Sequence, residues 1–227
     1  MADATQTKTP QRKEQILQAL AEMLEATPDN KITTAKIAAA VGVSEAALYR
    51  HFPSKTKMFE ALITFAEEAL FVRIGRMSEG SLSAIEQCHA LVRLYLEFCE
   101  KNHGISRLLT GGALTGESRQ LHYRIAQLYE RLETQLRQYL REAELREGCR
   151  PRLPVNTAAN LMMAFAEGRV HQFCRSSFKN GPTDNWQDQW EWLGADLMRA
   201  VPPAASSYPN RARLGQTSSS PSVKHPP

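Results

Sequence analysis

The sequence predicts an all-α protein in which a small N-terminal helix-turn-helix bundle sits on a larger helical body. Three observations lead there. Apolar residues recur at three- and four-residue spacing through almost the whole chain, and alternating strand patterns are absent. Residues 31–57, KITTAKIAAAVGVSEAALYRHFPSKTK, read as two short helices around a glycine turn, followed at once by a longer helix. That stretch holds five Lys/Arg (Lys31, Lys36, Arg50, Lys55 and Lys57) against one acid, Glu45, a surplus equal to the +4 of the entire 227-residue chain. The charge is focused on one block, as expected of a surface that meets a polyanion.

The first helix should run over 9–26, with Ile16, Leu17, Leu20, Met23 and Leu24 on one face. Thr33 or Thr34 can cap the second, because a hydroxyl accepts from the unpaired N–H groups of a first turn. Gly42 ends it, where the chain needs a positive φ that a residue without Cβ adopts most cheaply. Ser44 caps a short third helix, Pro53 closes it, and Ser54 opens a fourth that continues to about residue 77. Helices over 82–101 and 105–110 follow, before a glycine-rich turn. Leu121, Ile125, Leu128, Leu132, Leu136 and Leu140 form one stripe on a helix over 118–147. At 1.5 Å per residue that helix is about 45 Å long. Gly148 and the Pro151/Pro154 pair stop it, and two last helices are read over 155–178 and 185–200.

Residues 201–227 hold six Pro and six Ser with little to bury, so disorder is expected there. The organisation predicted is a flexible 1–8, a helix-turn-helix domain over 9–57, a helical dimerisation and partner-binding body over 58–200, and the Pro/Ser-rich tail. Residues 58–200 carry seventeen bases against eighteen acids, and the tail three bases and no acid, so a polyanion should meet the ends. Cys88, Cys99, Cys149 and Cys174 have no paired spacing and are expected to be reduced. A polar N-terminus and the lack of a long apolar run predict a cytoplasmic protein without membrane contact.

In a helix-turn-helix the second helix enters the major groove by its N-terminal end while the first crosses the backbone. Ser44, Glu45, Ala46 and Ala47 are small or polar at that leading end, which permits close approach to base edges. Leu48 and Phe52 should face inward onto Ile37, Ala38 and Val41, leaving Tyr49, Arg50 and His51 for phosphates or bases. Thr33, Thr34 and Lys36 sit at a helix N-terminus, itself an anion site. Lys55 opposes the dipole of the helix it opens, a cost that a bound phosphate would offset. Glu45 either accepts from a cytosine amino group or points away from the DNA.

Nothing in the chain points to catalysis. There is no G-x-x-x-x-G-K-[ST] phosphate loop, no G-x-S-x-G elbow and no dinucleotide fingerprint, so no cofactor is expected. Cys99 with His103, and His171 with Cys174, have helical spacing, but two ligands do not make a metal site.

The order TTAKIAAAVGVSEAALYRHFPSKTKMFEAL resembles the TetR-type regulators, whose DNA domain ends in a similar tyrosine, phenylalanine and lysine pattern. With RLLTGGAL, LETQLRQYLRE and FKNGPTDNW, the similarity extends over about 11–198 to the nucleoid occlusion branch of that family. The resemblance implies a TetR-like fold and a nucleoid-associated homodimer, with higher order on DNA, bound to palindromic chromosomal sites in double-stranded DNA. It implies that the DNA-bound form antagonises FtsZ, the tubulin-like division GTPase, so that septa do not close over the nucleoid. It places the FtsZ-binding surface on the fourth and fifth helices, at Phe65, Arg73, Leu94, Lys101 and Asn102, with core the alternative for Phe65 and Leu94.

In TetR-type proteins the last two helices form the dimer interface. Here they offer Ala158, Ala159, Ala164, Ala166 and Gly168 beside Leu161, Met162, Phe165 and Phe173, then Trp186, Trp190, Trp192, Leu193 and Leu197. Intramolecular core is the alternative for each. The commoner role of this fold, a ligand-responsive transcriptional repressor, stays open as a second function, with Tyr95, Phe98, Met162 and Phe165 as lining for an effector pocket.

Overall fold

The computed structural model describes residues 8–26, 32–78, 81–114, 117–195 and 197–200, which form nine helices and one short two-stranded ribbon. The expected flexible 1–8 (apart from the backbone of residue 8), Lys31 and the expected disordered tail 201–227 lie outside the described residues.

The N-terminal head is built by local signals. It contains α1 (Lys8–Ala26), α2 (Thr34–Val41) and α3 (Glu45–His51). Thr33 is the residue that caps α2, its Oγ1 accepting from the Lys36 N–H at 3.3 Å. Gly42 follows at φ 69°, and Ser44 caps α3 by accepting from the Ala47 N–H at 3.2 Å. Each such cap stabilises its helix by about 1 kcal/mol. Ile16, Leu20 and Leu24 of α1 close over Ile37, Ala38, Leu48 and Phe52, which fixes the angle between α2 and α3. The fourth helix, α4 (Lys55–Ser78), opens at Ser54 as expected, with the Lys57 N–H donating to its Oγ.

The body is α5 (Ala84–Lys101), α6 (His103–Leu109), α7 (Arg119–Glu147), β1 (Cys149–Pro151), α8 (Val155–Arg175), α9 (Trp186–Ala195) and β2 (Met198–Ala200). Ser83 and Glu86 form a reciprocal capping box at the start of α5. All six leucines and isoleucines of the α7 stripe are buried, and Gly148 ends the helix at φ 62°. Across the body, Glu147 Oε1 accepts from the Ala84 N–H at 2.7 Å, joining the end of α7 to the start of α5.

Head and body share one core. The Gly104 Cα sits so close to α1 that a Cβ there would lie 2.0 Å from the Ala21 carbonyl oxygen. Arg107, only 8% exposed, donates to the Leu24 and Glu25 carbonyls at 2.9 and 2.6 Å. These are last-turn carbonyls of α1 that have no partner within the helix. Its guanidinium also lies 4.6 Å from the Phe178 ring, and His103 stacks on that ring at 4.4 Å.

The C-terminal third departs from expectation in two places. α8 stops at Arg175, not at 178, because Ser177 and Phe178 adopt φ 54° and 64° and Ser176 Oγ accepts from the Lys179 and Asn180 N–H groups. The last helix stops at Ala195, and Met198–Ala200 pairs antiparallel with Cys149–Pro151, setting Arg199 opposite Arg150. Segments of three residues carry no detectable alternation, so this ribbon was invisible to periodicity.

Inside α9, Trp186 donates its indole N–H to His89 Nε2 at 2.9 Å, and the two rings stack 5.6 Å apart. Burial, with Arg93 nearby, holds the His89 pKa below its usual value. The neutral ring is the form that accepts from Trp186. The unfolded chain takes up this proton near pH 6.5 while the folded one still resists it, so stability falls as pH drops below that point. Acidification from pH 7.5 to 5.5 should lower the melting temperature and change tryptophan emission, and His89→Gln should remove most of that dependence.

Candidate nucleic-acid interface

The capped starts of α2 and α3 bring most of the sequence-derived contact set onto one side of the head. Ser44, Glu45 and Ala46 are exposed and Ala47 half-buried at the leading end of α3. Tyr49 is 46% exposed, Arg50 is exposed and His51 half-buried. Leu48 and Phe52 turn inward, at 0% and 7% exposure, as their spacing requires. Thr33 and Thr34 are half-buried and Lys36 is exposed at the start of α2. A helix of small leading residues with an exposed tyrosine and arginine one turn later has the shape to enter a major groove.

A chain of hydroxyls crosses this face. Tyr49 OH donates to Thr34 Oγ1 at 3.4 Å, and Thr34 donates to Glu45 Oε2 at 2.6 Å. Glu45 is thereby turned onto the start of α2 rather than out from α3, and the bond fixes where its negative charge sits. Tyr49→Phe keeps the ring and removes the donor. It should weaken specific binding by about three- to tenfold with no change in helicity, measurable by anisotropy titration.

Lys55 differs from expectation. Its ammonium is not left open for phosphate: it donates to the Ile32 carbonyl at 2.8 Å and forms an ion pair with Glu117, in the turn before α7. It lies 5.7 Å from the Phe59 ring and its side chain is 19% exposed. The dipole cost of a lysine at the start of α4 is met from within the chain. Lys57, 52% exposed, pairs with Glu60 at 2.6 Å. Glu117 and Glu60 both escaped sequence reasoning. Glu60 lies three residues from Lys57, a helical spacing that signals such a pair, whereas nothing local points from Lys55 to Glu117.

The residues assigned to a partner surface fall into two groups. Phe65 is 49% exposed and Arg73 exposed on α4, with Val72 at 57% beside them. Lys101 is exposed at the end of α5. Leu94, in contrast, is 6% exposed within the core, and the Asn102 side chain donates to the Phe98 carbonyl at 2.8 Å. As an open apolar anchor Leu94 is therefore corrected: its turn of α5 faces the core. The Phe65 and Phe98 rings lie 6.4 Å apart, so Phe65 is supported from below while one face stays open.

On α8, Ala158, Ala159, Ala166, Met162 and Phe173 belong to the intramolecular core, whereas Leu161, Ala164 and Gly168 are exposed. Trp186 and Trp190 are buried, but Trp192 is 84% exposed. Tyr95 and Met162 are fully buried and Phe98 nearly so, with Tyr95 OH bonded to Tyr129 OH at 2.9 Å. Phe165 is half-buried against Trp186. These four side chains fill space in the body. Among the described residues there is no cluster of three or more metal-ligating side chains, and no helix is long and apolar enough to cross a membrane.

Comparison with known proteins agrees with this geometry. Residues 16–62 match the family described as bacterial regulatory proteins, tetR family, and residues 82–198 the SlmA-like family described as tetracyclin repressor-like, C-terminal domain. Among solved structures, a fatty acid degradation regulator FadR from Bacillus halodurans superposes with a TM-score of 0.69 at 18% identity, over 80% of this chain and 94% of that one. A TetR-family transcriptional regulator from Agrobacterium tumefaciens gives 0.68 at 15% identity, over 84% of this chain and 100% of that one. At that identity they show the fold. The sequence relatives go further. The nucleoid occlusion factor SlmA of Marinomonas sp. (strain MWYL1) is 51% identical over 191 residues, 84% of this chain and 97% of that protein. The factor of the same name from Shewanella loihica is 51% identical over 189 residues, 83% of this chain and 96% of that protein. With its tetR-type head, its all-helical body and this identity along nearly the whole folded length, the chain belongs to the nucleoid occlusion factor SlmA family.

Proposed function

We propose that this protein acts in nucleoid occlusion as a homodimer that reads palindromic chromosomal sites and, when bound to them, inhibits FtsZ ring assembly. The observation that carries the reading is the exposed face of α2 and α3, where Lys36 and Arg50 accompany the groove-entering end of a capped helix. The 51% identity to nucleoid occlusion factors supplies the cellular role.

The two-fold arrangement follows from α8. Leu161, Ala164 and Gly168 lie at spacings of three and four residues and share one open stripe, and Trp192 on α9 is exposed as well. Small residues let two copies of α8 approach closely, and the apolar side chains supply area to bury. A symmetric dimer presents α3 twice, which accounts for a palindromic target.

For the division partner, the supported Phe65 ring with Val72, Arg73 and Lys101 makes an apolar surface with basic edges on α4 and α5. Such a surface suits a short segment of mixed acidic and apolar residues, which is how FtsZ would be engaged. The protein then works in the cytoplasm at the nucleoid.

Co-sedimentation with polymerised FtsZ, with and without a specific duplex, tests the proposal. More protein should pellet with FtsZ, or less FtsZ polymer form, when DNA is present, and Phe65→Ala should reduce the effect without altering DNA affinity. Absence of FtsZ binding in both conditions would remove the division role and leave a DNA-binding regulator.

A further inference from the structure

An ion pair between Lys55 and Glu117 joins the start of α4, next to the DNA-binding face, to the turn that leads into α7. Three features set the pair apart from an ordinary surface bridge. The ammonium also donates to the Ile32 carbonyl, one residue before the Thr33 cap of α2, so it sits between the starts of α2 and α4. The first turns of both helices point N–H groups there, one in each capped by Thr33 or Ser54, and a mobile anion would be drawn to the same place. The side chains of Lys55 and Glu117 keep 19% and 16% of their surface exposed, so water and an incoming anion reach the pair from outside.

We infer that Glu117 occupies Lys55 as an internal stand-in for a DNA phosphate, and that the duplex must displace it to recruit Lys55. This rests on the reading of α2 and α3 as the DNA-binding face and deepens it: Glu117, a residue of the body, sets the affinity of the head. A carboxylate and a phosphodiester oxygen compete for one ammonium, so binding gains a phosphate contact only by giving up the internal one.

The test is a two-by-two set of full-length proteins: wild type, Glu117→Gln, Lys55→Gln and the double variant. Each is titrated with one specific duplex over a range of salt concentrations, and thermal melting establishes folding. Glu117→Gln removes the competing charge with little change of shape. It should tighten DNA binding by about fivefold. It should also steepen the salt dependence, by up to about one ion, because Lys55 then releases a counterion without first losing an internal partner. In the Lys55→Gln background the same substitution should do nothing.

Unchanged or weaker binding by Glu117→Gln overturns the inference and leaves the pair as a structural tie. So does tightening that persists without Lys55, which would assign the effect to general repulsion between Glu117 and DNA. Should Glu117→Gln melt too low to assay, Glu117→Asp, with a shorter reach to the same ammonium, is expected to show a smaller gain in the same direction. Failure of the underlying reading is separate: the wild-type protein would then fail to distinguish the specific duplex from a scrambled one.

Discussion

Gly104→Ala is expected to destabilise the protein by about 3 kcal/mol or more, through overpacking of a closed interface. The added Cβ would lie 2.0 Å from the Ala21 oxygen, 2.9 Å from the Ala21 carbonyl carbon and 3.1 Å from the Leu24 Cβ. Two of those atoms are backbone, so no side-chain rotation relieves the clash. α6 must lift away from α1, and doing so stretches the two Arg107 bonds that satisfy the Leu24 and Glu25 carbonyls. The φ of Gly104 is helical, so alanine's better helix propensity works in the opposite direction, but by only about 1 kcal/mol. For a chain of this size a loss of that order corresponds to a fall in melting temperature of about 6–12 °C, readable by circular dichroism. Because α1 carries part of the head core, DNA affinity should fall as well. An unchanged melting temperature would mean that α6 and α1 are not in the contact described.

The second large effect is expected at Gly168. It is exposed in the interior of α8, and a Cβ there would meet nothing within 4 Å, so Gly168→Glu costs the folded monomer no clash. Replacing a mid-helix glycine stabilises α8 by about 0.5–1 kcal/mol. In a dimer formed through Leu161, Ala164 and Gly168, the same substitution places two carboxylates close together across the two-fold axis, where neither has a partner. The expected outcome is a folded monomer by light scattering, with helicity equal to or above wild type. Binding to a two-half-site duplex should fall by about 10²–10⁴, the gain that linking two weak half-site contacts provides. A Gly168→Glu protein that stays dimeric would move the interface elsewhere on the body.

How much of this was legible in the sequence depended on range. Thr33, Gly42, Ser44, Ser54 and Gly148 announce helix ends because their effect is local: a hydroxyl or a missing Cβ acts within one turn. The α7 stripe was legible because burial on one face imposes a period on the residues themselves. The unread features involve residues far apart in sequence. Glu117 reaching Lys55, Thr34 holding Glu45 and Arg107 holding the end of α1 leave no periodic trace. Leu94 and Phe65 show the limit for helices with apolar residues on several sides. Both suit a core or a surface, and only the packing of α4 and α5 on their neighbours buries one and exposes half of the other. The left-handed Ser177 and Phe178 were missed for a related reason, since neither residue type favours that conformation and the aromatic contacts of Phe178 with His103 and Arg107 come from another helix.

The most direct measurement is a competition titration of the purified full-length chain. A labelled chromosomal fragment containing a two-fold symmetric site is challenged with unlabelled copies of itself, of a scrambled sequence and of a single half-site, at about 0.15 M salt, where non-specific phosphate binding is weak. The site should compete at least 10³-fold better than the scramble, as specific and non-specific binding typically differ. The half-site should fall between them, and the bound species should carry an even number of chains. Equal competition by all three duplexes would show that the α2–α3 surface binds DNA only as a polyanion, and the assignment of sequence reading to α3 would fail.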